Sequence, residues 1–390
     1  MANITFWGLI ASPYQLKMQS LADYAGLDWQ RWPDQATLWQ AITTSRRLDR
    51  ARHRHAIERF PGRNPELDEY PAVPFYSLDG ETYFYDSSGL AYHLDELAAA
   101  PQPLLPAEPG LRFICQLIDE AFDEFGLYMV HHNRWVTSAA TNVMGEVTST
   151  EMRKLLPFGL RRRVARKLPR RQVRRCPYLF SVAPPDFDAG VSESLTPPSR
   201  EGFPPTHEIL DTAWRRYLAA TEALLAEQPF LLGQRFTLAD ASAYGQLSMN
   251  LIDGRAAELL EELAPLTFRW LCMIRDGGHA GSDGELHLTE SLEPLLQVIG
   301  ETFIPLMRQN AAAYDDAVSE GQTLFNEAAF DKGEALYDGS LLGMPFRAVV
   351  KTFQVATWRE VCAAWQALDD NDRQRLESIY PVLTELPGSR

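Results

Sequence analysis

The feature that most constrains the fold is a proline at the head of a short β-rich run. In Val73-Pro-Phe-Tyr-Ser-Leu78, Val73, Phe75 and Ser77 alternate with Pro74, Tyr76 and Leu78. Asp79-Gly80 follows, and then a second run, Glu81-Thr-Tyr-Phe-Tyr85. Two β-rich runs joined by Asp-Gly predict a hairpin with a type I′ turn. Pro74 lacks the N–H that a central ladder needs, so it belongs at an edge or a strand start with free backbone groups nearby. Asp86-Ser-Ser88 precedes Gly89 to Leu97, which reads as a helix with polar N-cap residues. A helix start carrying hydroxyls and free N–H groups is a natural carboxylate site.

The chain before this stretch reads as a β-α-β unit. Ile4 to Ile10 is an apolar run and predicts a buried strand. Ser12 is a good N-cap, Pro13 suits the first helical position, and Gly26 ends the helix. Leu27 to Trp32 returns as a second strand. Residues 34–69 read as an insertion whose arginine-rich part, Thr37 to Arg59, is predicted helical. Ala99 to Gly110 holds four prolines in twelve residues and reads as a linker.

From Leu111 onward the pattern is helical throughout. Phe113, Leu117, Ile118, Ala121, Phe122 and Phe125 form an apolar stripe. Thr237 and Asp240 have capping-box spacing and read as structural. His131-His132 do not converge as zinc ligands do, which leaves packing or a second-substrate role for His131. Residues 183–206 contain three Pro-Pro pairs and read as a loop. Gly277 to Gly284 marks a boundary, followed by further helices. The expected division is 1–98, 110–283 and 284–390. Glu151 to Arg175 interleaves Leu155, Leu160, Val164 and Leu168 with many bases. It reads either as an amphipathic surface for an anionic membrane or as a basic patch, solvated or paired with the acidic residues of the tail, such as Asp315, Asp316, Glu320, Asp369 and Asp370.

Bulk properties exclude some classes. A net charge of −15 argues against a general nucleic-acid binder. No run of about 18 uncharged apolar residues is present, so no membrane span is expected. The N-terminus lacks the basic start and apolar core of a signal peptide. The four cysteines are far apart and form no CxxC, so neither a disulfide framework nor a metal site is expected; a reducing cytoplasm fits.

Taken together, Ser12-Pro13-Tyr14 after the first strand, Val73-Pro74 at the hairpin, Asp86-Ser87 at the next helix and Phe230-Leu-Leu-Gly-Gln-Arg-Phe-Thr-Leu-Ala-Asp-Ala241 resemble the cytosolic glutathione transferase family. The resemblance implies an α/β thioredoxin-like N-terminal domain followed by an all-α glutathione transferase C-terminal domain, here with an extra helical extension. It also implies glutathione as co-substrate, a small electrophilic second substrate and a homodimer.

By that resemblance, Val73-Pro74 corresponds to a cis-proline site whose backbone pairs with the cysteinyl part of glutathione. Ser87 would hold the γ-glutamyl carboxylate and Asp86 would meet the γ-glutamyl ammonium. Ser12, at a helix start, would donate to the sulfur and favour the thiolate. A register one residue earlier puts Ala11 at that position and leaves Tyr14 as the reserve donor. The expected function is transfer of the glutathione thiol to an electrophile. The competing reading is a non-catalytic binding or assembly module of the same fold, associated with a membrane surface.

Overall fold

The computed structural model describes residues 3–62, 64–69 and 73–388. It begins with β1 (Asn3–Trp7), α1 (Pro13–Tyr24), β2 (Asp28–Trp32), α2 (Leu38–His53), β3 (Glu58–Arg59), β4 (Phe75–Ser77), β5 (Phe84–Tyr85) and α3 (Ser87–Glu96). The strands form one mixed sheet in the order β2-β1-β4-β5-β3. β1 runs parallel to β2, with Trp7 opposite Trp32, and antiparallel to β4, with Trp7 opposite Phe75. Ile4 and Phe6 of β1 are buried and alternate with less buried neighbours, as a sheet covered on one face requires.

Two expectations change here. The hairpin is not closed by a two-residue type I′ turn: Tyr76 pairs with Phe84, so seven residues separate them. The Asp79 carboxylate organises this longer loop, accepting from the Glu81 and Thr82 N–H groups at 2.7 Å each and from the Ser77 hydroxyl at 3.1 Å. Those bonds hold the Asp79 carboxyl near 2, below the usual range. The segment from Thr37 to Arg59 is not wholly helical either. A Thr37–Gln40 capping box starts α2, which stops at His53, and Glu58–Arg59 joins the sheet as a parallel edge beside β5.

The linker is packed rather than slack. Leu104 and Leu105 are buried, and Asp95 of α3 accepts both of their N–H groups, at 2.7 and 3.0 Å. The helical part then runs α4 (Pro109–Ala121), α5 (Leu127–His132), α6 (Met144–Glu151), α7 (Phe158–Arg174), α8 (His207–Leu225), α9 (Leu238–Leu247), α10 (Gly254–Leu263) and α11 (Pro265–Arg275). Wide π-turns at Phe122–Gly126 and Asn133–Thr137 join α4 to α5 and extend α5, so that 109–137 is nearly one long helix. Thr237 and Asp240 form a complete capping box at α9, and the other Asp240 oxygen accepts from Leu231 N at 2.7 Å.

The C-terminal region holds α12 (Glu293–Glu301), α13 (Phe303–Ser319), α14 (Asn326–Lys332), β6 (Leu336–Leu341), β7 (Met344–Val349), α15 (Thr352–Ala367) and α16 (Asp370–Ile379). The expectation of helix throughout fails at β6 and β7, a separate antiparallel hairpin joined through Leu342-Gly343. Gly343 has φ +75°, the left-handed conformation a tight hairpin turn needs. This region is not an appendage. Trp365 of α15 is fully buried, its ring 5.0 Å from that of Phe113 in α4, and both belong to the core cluster that also holds Phe6 and Trp214.

Candidate active site

Pro13 opens α1, and Ser12 sits at its N-cap in an extended conformation. The Ser12 side chain makes no capping hydrogen bond, so its hydroxyl is not consumed by the helix. The Val73–Pro74 peptide is cis. Ser12 and Val73 line one cavity of about 200 Å³, together with Leu9, Ala11 and Pro13. The opposite wall comes from the helical part: Leu127, Val130, His131, Arg134 and Trp135 from the α5 region, Met144 and Thr148 from α6, Leu168 and Gln172 from α7, and Met249.

Side chains that the sequence did not single out hold the loop before Ser12. Arg134 is buried in the second π-turn. It donates to the Asp253 carboxylate at 2.7 and 3.0 Å and to the Ala11 carbonyl at 3.0 Å. Glu151 of α6 accepts from Ile10 N at 3.1 Å and pairs with Arg31 at 3.1 Å. A buried cation that is bonded to a carboxylate and a carbonyl is a fixed strut. The backbone leading into Ser12 is therefore set by the helical part.

His131 faces this cavity as an unprotonated ring. Burial pushes it down to about 3, assisted by Arg175 and Arg134, against the pull of Gln172. Among the described residues neither ring nitrogen makes a hydrogen bond of full geometry, Gln172 standing close enough only for a weak interaction. His132 turns elsewhere, its Nδ1 2.9 Å from the Ser181 hydroxyl and its ring 4.7 Å from that of His207.

Tyr14 is not a lining residue. Its hydroxyl donates to the Asp123 carbonyl at 3.0 Å, and burial, with Glu124 and Asp123 close by, pushes it well above its usual value. The structure thus separates Tyr14 from Ser12, and only Ser12 opens on the cavity. Asp86 and Ser87 do not line it either. Asp86 caps α3 through Gly89 N at 2.9 Å and forms an ion pair with Arg59 of β3. Ser87 is buried in the first turn of α3. A side chain on Gly89 would collide with the Phe60 carbonyl, so the segment after β3 lies directly on this helix start.

Between these two places lies a charged cluster that sequence reading missed. Lys17 of α1 is fully buried and contacts Asp119 of α4 at 2.6 Å, Asp123 of the first π-turn at 2.6 Å and the Ser88 hydroxyl at 2.7 Å. Burial alone would lower the ammonium, but the two carboxylates outweigh it and hold it charged. Asp123 is pushed up to about 6, because burial and the neighbouring Asp119 act against Lys17. The signal for this cluster was a lysine inside the buried stripe of α1, at spacing i, i+4 from Pro13.

Residues 177–276 match the family model for the glutathione S-transferase C-terminal domain. No curated protein sequence matches the chain significantly. Similar solved structures include a glutathione S-transferase from Rhodospirillum rubrum F11, at 16% identity over 75% of this chain and 91% of that chain, with a TM-score of 0.36. One from Ceriporiopsis subvermispora, in complex with glutathione, is 14% identical over 70% of this chain and 97% of that one, with a TM-score of 0.40. The β-etherase LigF from Sphingobium sp. strain SYK-6 is 16% identical over 75% and 98%, with a TM-score of 0.39. The helical part of the chain thus contains, over residues 177–276, a match to the glutathione S-transferase C-terminal domain, and this span supplies Met249 to the Ser12 cavity.

Proposed function

We propose that this chain is a glutathione-dependent enzyme that favours the glutathione thiolate and presents it to an electrophilic small molecule in the cavity between the sheet and the helices. The observation that carries the reading is the unspent Ser12 hydroxyl at the start of α1, opening beside the cis Val73–Pro74 peptide onto a cavity walled by helical residues. The backbone of Val73 is the strand-like partner for the cysteinyl segment. The Ser12 hydroxyl donates to sulfur, and the N-terminal end of α1 adds positive potential, which together lower the cost of the thiolate. The sulfur then bonds to the electrophilic carbon, with loss of a leaving group or protonation of the adduct. Leu127, Val130, Trp135 and Met249 offer that carbon an apolar seat. A cytoplasmic homodimer is part of this reading.

Calorimetric titration with millimolar glutathione, followed by turnover of a generic aryl halide, tests it. Ser12→Ala is expected to keep binding and to lower kcat by roughly 100- to 1,000-fold, the scale of one lost donor at a developing anion. Unchanged turnover removes Ser12 from the mechanism. A second reading, a non-catalytic module of the same fold, is favoured by the Arg59–Asp86 ion pair and the Phe60 carbonyl at Gly89, which occupy the start of α3. Absence of any heat or thermal shift with glutathione would select that second reading.

A further inference from the structure

The basic stretch forms a single helix, α7, with eight arginines and lysines and no carboxylate between Phe158 and Arg174. The acidic tail does not neutralise it. Asp315 pairs with Arg359 and Asp370 with Arg373, while Asp369 caps α16. Arg175, just past the helix, does reach an acid of the C-terminal region, Glu327 at 2.7 Å. Among the described residues, no carboxylate lies within 4.0 Å of Arg163, Lys167, Arg170, Arg171 or Arg174. In a chain of net charge −15, this is a concentrated positive face.

The same face carries unburied apolar groups. Leu160, Val164 and Leu168 repeat at i, i+4 and line a groove of about 910 Å³ between α7 and residues 193–198, and Leu160 is 44% exposed. The connection entering α7 is tied to the start of α2: Lys154 donates to the Asp34 carbonyl at 2.6 Å and to the Ala36 carbonyl, and Arg153 pairs with Asp34. Two residues beyond Ala36 stand Leu38, 58% exposed, and Trp39, 73% exposed, the most exposed large hydrophobic side chain among the described residues.

We infer that α7 and the start of α2 together form a docking face for an anionic lipid bilayer. Arg163, Lys167 and Arg171 meet the headgroup phosphates, while Trp39, Leu38 and Leu160 enter the interface. Basic charge with adjoining Trp and Leu anchors is the combination that a bilayer surface recognises. A second copy of the chain would bring α7 against α7 and set like charges face to face. Nucleic acid would satisfy the arginines but leave Leu38 and Leu160 in water. Leu168 lies between that groove and the Ser12 cavity and lines both, and Gln172 also lines the cavity, so docking would hold that cavity next to the membrane. The inference does not depend on glutathione binding.

Full-length protein is sedimented with vesicles of phosphatidylcholine alone and with 30 mol% phosphatidylserine, alongside a duplex-DNA shift assay at the same salt. The expected result is at least tenfold stronger partitioning onto the anionic vesicles, release at high salt, and a blue shift of tryptophan emission. R163E/K167E/R171E, all at exposed positions, should lose the anionic preference. W39S should weaken binding several-fold with the salt dependence retained and without the blue shift. Circular dichroism checks that both variants are folded. Equal binding to neutral vesicles, no binding to either, retention by the triple variant, or DNA binding as tight as lipid binding would each overturn the inference.

Discussion

Lys351 offers the sharpest stability test. It enters the helical core from the residue before α15, with 3% of its surface exposed. Its ammonium bonds the Tyr128 hydroxyl and lies 4.3 and 4.6 Å from the ring centroids of Tyr128 and Tyr178. Two aromatic faces favour a cation. Burial opposes it more strongly, and Arg175 adds to the opposition, while Glu124, Glu69 and Glu327 pull the other way; the amine is pushed down from 10.5 to about 7. A lysine with a depressed value stabilises the fold above its unfolded value, near pH 10.4, and that stability is lost as pH falls through about 7. The slope between these limits is at most about 1.4 kcal/mol per pH unit, so the full span is at most about 5 kcal/mol. Lys351→Met keeps the chain length, and Gln354 still donates to the Tyr128 hydroxyl at 2.8 Å. Urea unfolding at pH 6, 7.5 and 9 should show the wild type gaining stability with pH and the variant not, with the variant's advantage largest at pH 6. Parallel pH profiles for the two proteins would refute the reasoning.

Two further substitutions probe the junction of α1 with the helical part. Lys17→Met leaves Asp119 and Asp123 buried without their cation, which should cost about 3–5 kcal/mol; because a carboxyl raised in the folded state loses its stabilising effect as pH rises through its folded value, the drop in Tm should be larger at pH 8 than at pH 5. Gly245→Ala should destabilise by about 1–3 kcal/mol in urea, although alanine is the better helix former, since its Cβ would lie 2.8 Å from Lys17 Cβ and 2.9 Å from the Pro13 carbonyl. A stabilised Gly245→Ala variant would mean that α1 and α9 can separate without loss.

Local chemistry was legible where one residue type dictates the backbone. Ser12-Pro13 opens a helix and Thr237 and Asp240 cap one, whereas the cis peptide at Val73-Pro74 was implied by the family resemblance alone and those at Trp32-Pro33 and Phe60-Pro61 left no local sign. The hairpin turn was misread because Asp79 uses its carboxylate to organise a longer loop, and Asp-Gly looks the same in either case. The struts Arg134 and Glu151 were not legible at all. Each acts on a partner more than 100 residues away in sequence, and no local period records that. The π-turns that carry Asp123 and Arg134 also shift the helical phase by one residue, so an ideal 3.6-residue reading assigns their side chains to the wrong face.

The residues beyond 284 share the core of the rest of the chain. An appended domain would be expected to carry its own core, yet Trp365, Val361 and Leu376 join the same buried cluster as Phe113 and Trp214. Leu67, ahead of the cis-proline loop, packs on Val355 and Ala356 of α15, and Arg175 at the end of α7 is bound by Glu327 of α14. Both segments that this region grips border the Ser12 cavity, one through Val73 and the other through Leu168 and Gln172. A helix as basic as α7, with a proline at position 169, has weak reason to stay folded against the cavity on its own propensity. The region beyond residue 284 therefore acts as a buttress: it fixes from outside the two walls that the thioredoxin-like sheet and the helical domain leave open.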